Sequence, residues 1–256
     1  MIKKFGVQLF TVRDYMKDPK SFDETCKKLK KLGYDEAQTA GIPFDIKEFA
    51  KIANDNGIEI IGTHADIYKM FDNPEEAMEE HKILGTVNAG TGGMPGGFRD
   101  SAQAVKYFCK VANEFGKAVH PHGFRFTYHN HSFEFKKFAN GQRMIDILFE
   151  NLDPVTTSFC MDTYWVQHGG GDVRAWMEKF AGRLDILHLK DMEMGNDGQQ
   201  HITSIGNGNL EWKEIVKTAE KIGVKHYIVE QDNNWVDDDP FKALENSANY
   251  IKANLM

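Results

Sequence analysis

Four stretches of the chain end in residues that can bind a cation or move a proton. They are Tyr128-His129-Asn130-His131 with Glu134 just beyond, Met161-Asp162, His188-Leu189-Lys190-Asp191, and Glu230-Gln231-Asp232. Two more end in Thr63-His64 and near Gln8. Successive side chains of a strand point to opposite faces. Leu184, Ile186, His188 and Lys190 therefore share a face, as do Thr156, Ser158, Cys160 and Asp162, and His226, Ile228 and Glu230. If these faces turn inward, Asp162, His188 and Glu230 converge. An imidazole and two carboxylates suit a hard or borderline divalent cation such as Mn²⁺, Mg²⁺, Zn²⁺ or Co²⁺. Taken singly, each residue has a plainer use. A carboxylate at a strand end caps the following helix, and a strand histidine sits hydrogen-bonded in a core. Their joint occurrence at successive strand ends favours the metal site.

Such a set needs strands whose C-terminal ends meet. Eight stretches read as strands: 5–10, 34–40, 58–65, 83–90, 124–131, 155–162, 184–191 and 226–232, the fourth with the weakest pattern. Helical periodicity lies between them. The first helix sets Phe22, Cys26, Leu29 and Leu32 on one face, opens with Ser21 and Glu24 at capping-box spacing and stops at Gly33. Others run from Asp45 and Glu48 to near Gly57, through Val105, Phe108, Ala112 and Phe115 to Gly116, and through Ile215, Ala219 and Ile222 to Gly223. The last carries Phe241, Leu244, Ala248 and Ile251. Eight strand–helix repeats fit an α/β fold closed as a (β/α)8 TIM barrel, which needs about 250 residues and carries its active site at the C-terminal strand ends. The alternative, an open doubly wound sheet, lacks a Gly-rich dinucleotide fingerprint after its first strand. GTGGMPGG (90–97) lacks the Lys-Ser/Thr of a phosphate-binding loop and reads as a flexible loop or lid. With no linker or break in composition, residues 1–256 read as a single domain.

A net charge of −7 argues against a broad nucleic-acid surface, which needs cations to meet phosphates. Cys26, Cys109 and Cys160 are widely spaced and form no CxxC pair, which suits reduced thiols in a cytoplasmic protein. The N-terminus lacks the pattern of a signal peptide. No apolar run approaches the ~20 residues that span a bilayer, so no membrane is expected. His120 and His122 read as surface residues at the far end of the barrel, and residues 234–240 as a solvated acidic loop. Homo-oligomerisation is left open, since no exposed apolar stripe marks it.

GVQLFTVRD (6–14), YHNHSFEF (128–135), MDTYW (161–165), HLKD (188–191) and IVEQD (228–232) follow one another over essentially the whole chain. This ordered set resembles the sugar phosphate isomerase/epimerase superfamily, the xylose isomerase-like TIM barrels, including their inosose dehydratase-like branch. The resemblance implies one divalent metal ion held by a strand-five residue with Asp162, His188 and Glu230. The usual strand-five Glu is replaced by His129, so either His129 ligates or Glu134 reaches back from the following loop. The chain thus departs from a two-carboxylate proton shuttle. Trp165 stands where the apurinic-endonuclease branch has a His, which argues against DNA repair. Gln38 stands where many relatives carry a Glu, and an amide can hydrogen-bond a sugar but cannot act as a base.

The implied activity is a metal-dependent isomerase or epimerase of carbohydrate metabolism, acting on a keto sugar or related polyol through an enediolate. Glu230, with Glu134 or a histidine such as His131 opposite, would move the proton. Lys190 would stabilise the oxyanion. Gln8, Phe10, Gln38, His64, Trp165 and Lys190 would contact the substrate. A lyase expelling a β-substituent from the same enediolate, on an inosose or a 3-keto-glycoside, is the alternative. A barrel that binds sugar without turnover is a second, favoured by the loss of Glu at His129 and Gln38.

Overall fold

A computed structural model describes residues 1–256. Eight parallel strands form a nearly closed barrel: β1 (Gly6–Gln8), β2 (Glu36–Ala40), β3 (Glu59–His64), β4 (Asn88–Thr91), β5 (Arg125–His129), β6 (Thr157–Asp162), β7 (Leu184–Leu189) and, last in the chain, β10 (His226–Val229). Hydrogen-bonded neighbours run β3-β2-β1-β10-β7-β6-β5-β4. The remaining seam, β3 against β4, is closed by single contacts. Ala65 N–H donates to Gly90 O (2.9 Å), the Asn88 amide to Ile61 O (2.8 Å), and Gly90 N–H to Thr63 Oγ1 (3.1 Å).

The main helices pack outside: α1 (Pro19–Leu32), α2 (Ile46–Asp55), α3 (Ile67–Asp72), α4 (Pro74–Leu84), α5 (Ala102–Val119), α6 (Met144–Asn151), α7 (Thr163–His168), α8 (Val173–Lys179), α9 (Trp212–Ile222) and α10 (Pro240–Asn254). The large apolar core includes Phe22, Leu29, Phe108, Ile215 and Leu244, all buried, from the inward stripes of these helices. Inside the barrel a thin layer of Ile61, Cys160, Ile186 and Ile228 separates two polar layers. The lower one holds the buried Glu36 carboxylate between Lys4 (2.7 Å) and His226 (3.0 Å). The upper one is the candidate site.

The structure departs from the sequence reading in several elements. Helix α1 opens at Asp18, whose side chain accepts from Ser21 N–H while Ser21 Oγ answers Asp18 N–H, so Ser21 is the third helical residue rather than the cap. Helix α5 passes Gly116 and ends at Val119. Gly116 is there because the helix lies against the residue that leads into β6: a Cβ would come 2.7 Å from Thr156 Oγ1. Ile83 and Leu84 close α4, and the fourth strand begins only at Asn88. The seventh strand yields at Asp191 to an antiparallel hairpin, β8 (Asp191–Met194) with β9 (Gln200–Thr203).

No helix is long and apolar enough to cross a membrane.

Candidate active site and metal centre

The polar upper layer follows from strand register. His188 on β7 is paired with Asp162 on β6 and with Ile228 on β10. The β5–β6 pairing brings His129 level with Cys160. One donor atom from each of His129, Asp162, His188 and Glu230 lies within 4.8 Å of the others, and all four residues are buried. Asp162 does two jobs with two oxygens. Oδ1 accepts from Trp165 N–H (2.9 Å) and so caps α7, while Oδ2 is buried without a hydrogen bond. His129 Nδ1 is likewise buried and unpartnered. Buried polar atoms without a hydrogen bond are costly, and Asp162 Oδ2 has only the Lys190 ammonium at 3.4 Å and the His188 ring at 3.7 Å near it. That, with the acid–imidazole composition, fits a divalent cation.

His188 is clamped at both nitrogens: Nδ1 lies 2.9 Å from Glu230 Oε2 and Nε2 lies 2.5 Å from Gln38 Oε1. Gln38 is in turn held by Gln8 Nε2 (3.0 Å), which also reaches His64 Nδ1 (3.2 Å). Lys190 is fully buried and its ammonium is caged by Asp232 Oδ2 (2.8 Å), Glu230 Oε2 (3.0 Å) and Asp162 Oδ2 (3.4 Å). Burial opposes its charge, but the surrounding carboxylates outweigh that and push its pKa up, so it stays a cation. Burial also opposes ionisation of Glu230, yet Lys190 and His188 hold its carboxyl well below the usual range. Asp232 is pushed up to about 6 by burial and by the Glu230 charge. Burial takes His64 down to about 3 and His131 down to about 4, so both imidazoles are neutral near pH 7.

Above this layer opens a cavity of about 530 Å³, lined by Phe10, His64, Gly92, His129, His131, Lys190, Glu230 and Asp232 among others. His64 Nε2 and His131 Nδ1 carry no hydrogen bond. Phe10 is partly exposed at the rim, under the Arg13 guanidinium (4.1 Å to the ring centroid). Trp165 stands beside His131 (5.3 Å between ring centroids), with the Lys190 ammonium 5.1 Å from its ring.

The structure thus brings His129, Asp162, His188, Glu230 and Lys190 together, with Gln8, Gln38, His64, His131, Phe10 and Trp165 around them. Glu134 is outside the group. Its carboxylate is buried, accepts from Tyr128 O–H (2.7 Å) and His131 N–H (2.9 Å), and braces the loop that carries His131. The loop at 90–97 is pinned rather than free, with Met94 buried and its carbonyl bonded by Arg99 Nε (2.7 Å). Asp232 is the site residue to which sequence reasoning gave no role. Its position two residues beyond Glu230, on the same face, was the available signal.

No curated protein matches the chain. Among solved structures it is similar to a sugar phosphate isomerase/epimerase from Parabacteroides distasonis, with TM-score 0.83, 24% identity, and 98% of this chain and 94% of that one covered. It is also similar to the IOLI protein with a bound zinc atom (TM-score 0.72, 14% identity, 99% and 100% covered). A probable 3-DHS dehydratase, AsbF, from Bacillus anthracis is similar too (0.73, 12%, 97% and 98%). At these identities the likeness is one of fold. The family model described as xylose isomerase-like TIM barrel matches residues 26–254, nearly the whole chain, and the protein belongs to that family.

Proposed function

We propose that the protein is a metal-dependent isomerase or epimerase that acts on a keto sugar or related polyol through an enediolate. The observation that carries this reading is the meeting of His129, Asp162, His188 and Glu230 at the floor of an open cavity with a buried lysine cation beside them. A divalent ion held there supplies polarisation of a substrate carbonyl. Lys190 donates to the oxyanion that develops when the neighbouring C–H proton leaves, from a position fixed in advance by three carboxylates. Glu230, ionised, takes up or returns that proton. With Glu134 occupied elsewhere, the second proton-handling group on this reading is a neutral histidine, His131 or His64, each with an unpartnered ring nitrogen and each lining the cavity. Phe10 and Trp165 offer aromatic faces to the sugar carbons.

A lyase is the second reading. An imidazole rather than a second carboxylate faces Glu230, and an imidazole can protonate a departing oxygen. The similarity to a probable dehydratase suits it as well.

Elemental analysis of the purified protein tests the site. After loading with Mg²⁺ or Mn²⁺, the ions that two carboxylates favour, about one ion per chain is expected, with loss in both Asp162→Ala and His188→Ala. A wild-type protein that holds no ion even after loading would overturn the proposal. Glu230→Gln is expected to lower turnover about 10²–10⁴-fold with the fold intact, as for removal of a general acid–base.

A further inference from the structure

We propose that a thiophilic divalent ion binds a second, deeper donor set formed by His64, His129, Cys160 and His188, in competition with the carboxylate set. One donor atom from each of these four residues also lies within 4.8 Å of the other three. The three imidazole rings are grouped, with centroids 4.8 Å apart for His64–His129, 4.7 Å for His129–His188 and 5.6 Å for His64–His188. His129 is 2% exposed with an unpartnered Nδ1, and His64 Nε2 is unpartnered as well. Cys160 Sγ and His188 Nε2 flank one carboxamide, that of Gln38. Sγ is 3.9 Å from its Nε2 and 4.0 Å from its Oε1, and the His188 nitrogen is 2.5 Å from Oε1. His188 therefore turns Nδ1 toward the acidic set and Nε2 toward the thiol. An ion bound to both the thiol and Nε2 displaces the Gln38 carboxamide from His188 or takes its carbonyl oxygen as a further donor.

The two sets differ in chemistry. Two carboxylates favour Mg²⁺ or Mn²⁺, whereas three imidazoles and a thiolate favour Zn²⁺, Co²⁺ or Cd²⁺. A neutral imidazole has one lone pair, so a His188 that ligates through Nε2 keeps its proton on Nδ1, and an ion in the deeper set leaves Asp162 and Glu230 without that donor. The expected consequence is that soft ions inhibit where hard ions activate, a consequence that rests on the function proposed above. The binding site itself does not.

Titration of the reduced, metal-stripped protein with Co²⁺ tests the site without a substrate. A thiolate-to-cobalt charge-transfer band in the near ultraviolet is expected, saturating at one ion per chain. It should be lost in Cys160→Ser and kept in Asp162→Ala, with the melting temperature of each variant checking its fold. Cys26 and Cys109 remain in the Cys160→Ser protein as internal controls. A wild-type protein without the band, or a Cys160→Ser protein that keeps it, overturns the proposal. If visible cobalt absorption appears without the band and is lost in Asp162→Ala, the deeper site falls and the carboxylate site stands. If neither absorption appears, both fall.

Discussion

Glu134 shows how one side chain can carry a signature and yet support it from outside. It belongs to the YHNHSFEF run, but its carboxyl ties the Tyr128 hydroxyl to the His131 backbone. Burial pushes it up to about 8 against the opposing effect of those two hydrogen bonds. A carboxyl whose folded pKa is raised contributes stability that is full below its unfolded value of 4.5 and is lost as pH rises toward about 8. Wild-type thermal stability should therefore fall across that interval more than in Glu134→Gln, whose amide can serve the same two partners. Melting curves from pH 4.5 to 8 for the two proteins check this, and parallel slopes would contradict it. Glu134→Ala leaves Tyr128 and His131 N–H without an acceptor and should cost about 1–3 kcal/mol. The sequence named both His129 and Glu134 as candidate ligands because both lie near the end of one strand. Only the turn at residues 133–135, which swings the carboxyl back toward Tyr128, separates them.

At the scale of elements, what could be read ahead was periodic. Period-two alternation placed His188 with Lys190 and Glu230 with His226 and Ile228, and apolar stripes at helical spacing located most helices. The β8–β9 hairpin escaped because only Met192 and Ile202 within it face an apolar cluster, although Asp197-Gly198 is a familiar hairpin turn. The grouping of Cys160 with three histidines was hidden for another reason: their separation in sequence means nothing until the barrel closes. The hairpin and the loop after it are organised by Asp191. Its buried carboxylate accepts from Met192, Gly206, Gly208 and Leu210 N–H and from the Trp212 indole (2.6 Å). Asp191→Ala strands five donors and should cost about 3 kcal/mol or more. Urea unfolding measures the loss, and hydrogen exchange across residues 204–212 should rise well before the barrel strands lose protection. Uniform exchange throughout would mean that Asp191 has no such local role.

The whole barrel has one weak join, and it bears on the site because the join lies beneath His64. Seven of the eight strand interfaces are hydrogen-bonded parallel ladders. The β3–β4 seam has the backbone bond from Ala65 N–H to Gly90 O and otherwise depends on side chains. Asn88 reaches Ile61 O, and Thr63 Oγ1 takes Gly90 N–H while it also meets His81 Nε2 (2.8 Å), which ties α4 to the same point. Gly90 lets the strands come this close, for a Cβ there would stand 2.3 Å from Thr63 O. Backbone ladders tolerate side-chain replacement, whereas this seam does not. Asn88→Ala and Thr63→Val should each cost about 1–3 kcal/mol by leaving buried partners unsatisfied, and Gly90→Ala should cost more by forcing β3 and β4 apart. The effect should also be directional. Amide exchange should accelerate at Ala65 and Gly90, and His64 should shift in its ring NMR signals, while the β5–β6 and β6–β7 ladders stay protected. If the seam were held instead by the helices outside it, these variants would melt like the wild type and the exchange pattern would not change. The His64 signals also separate a local opening from a general loosening, because His188, held from β2 and β10, should keep its own signals when only the seam gives way.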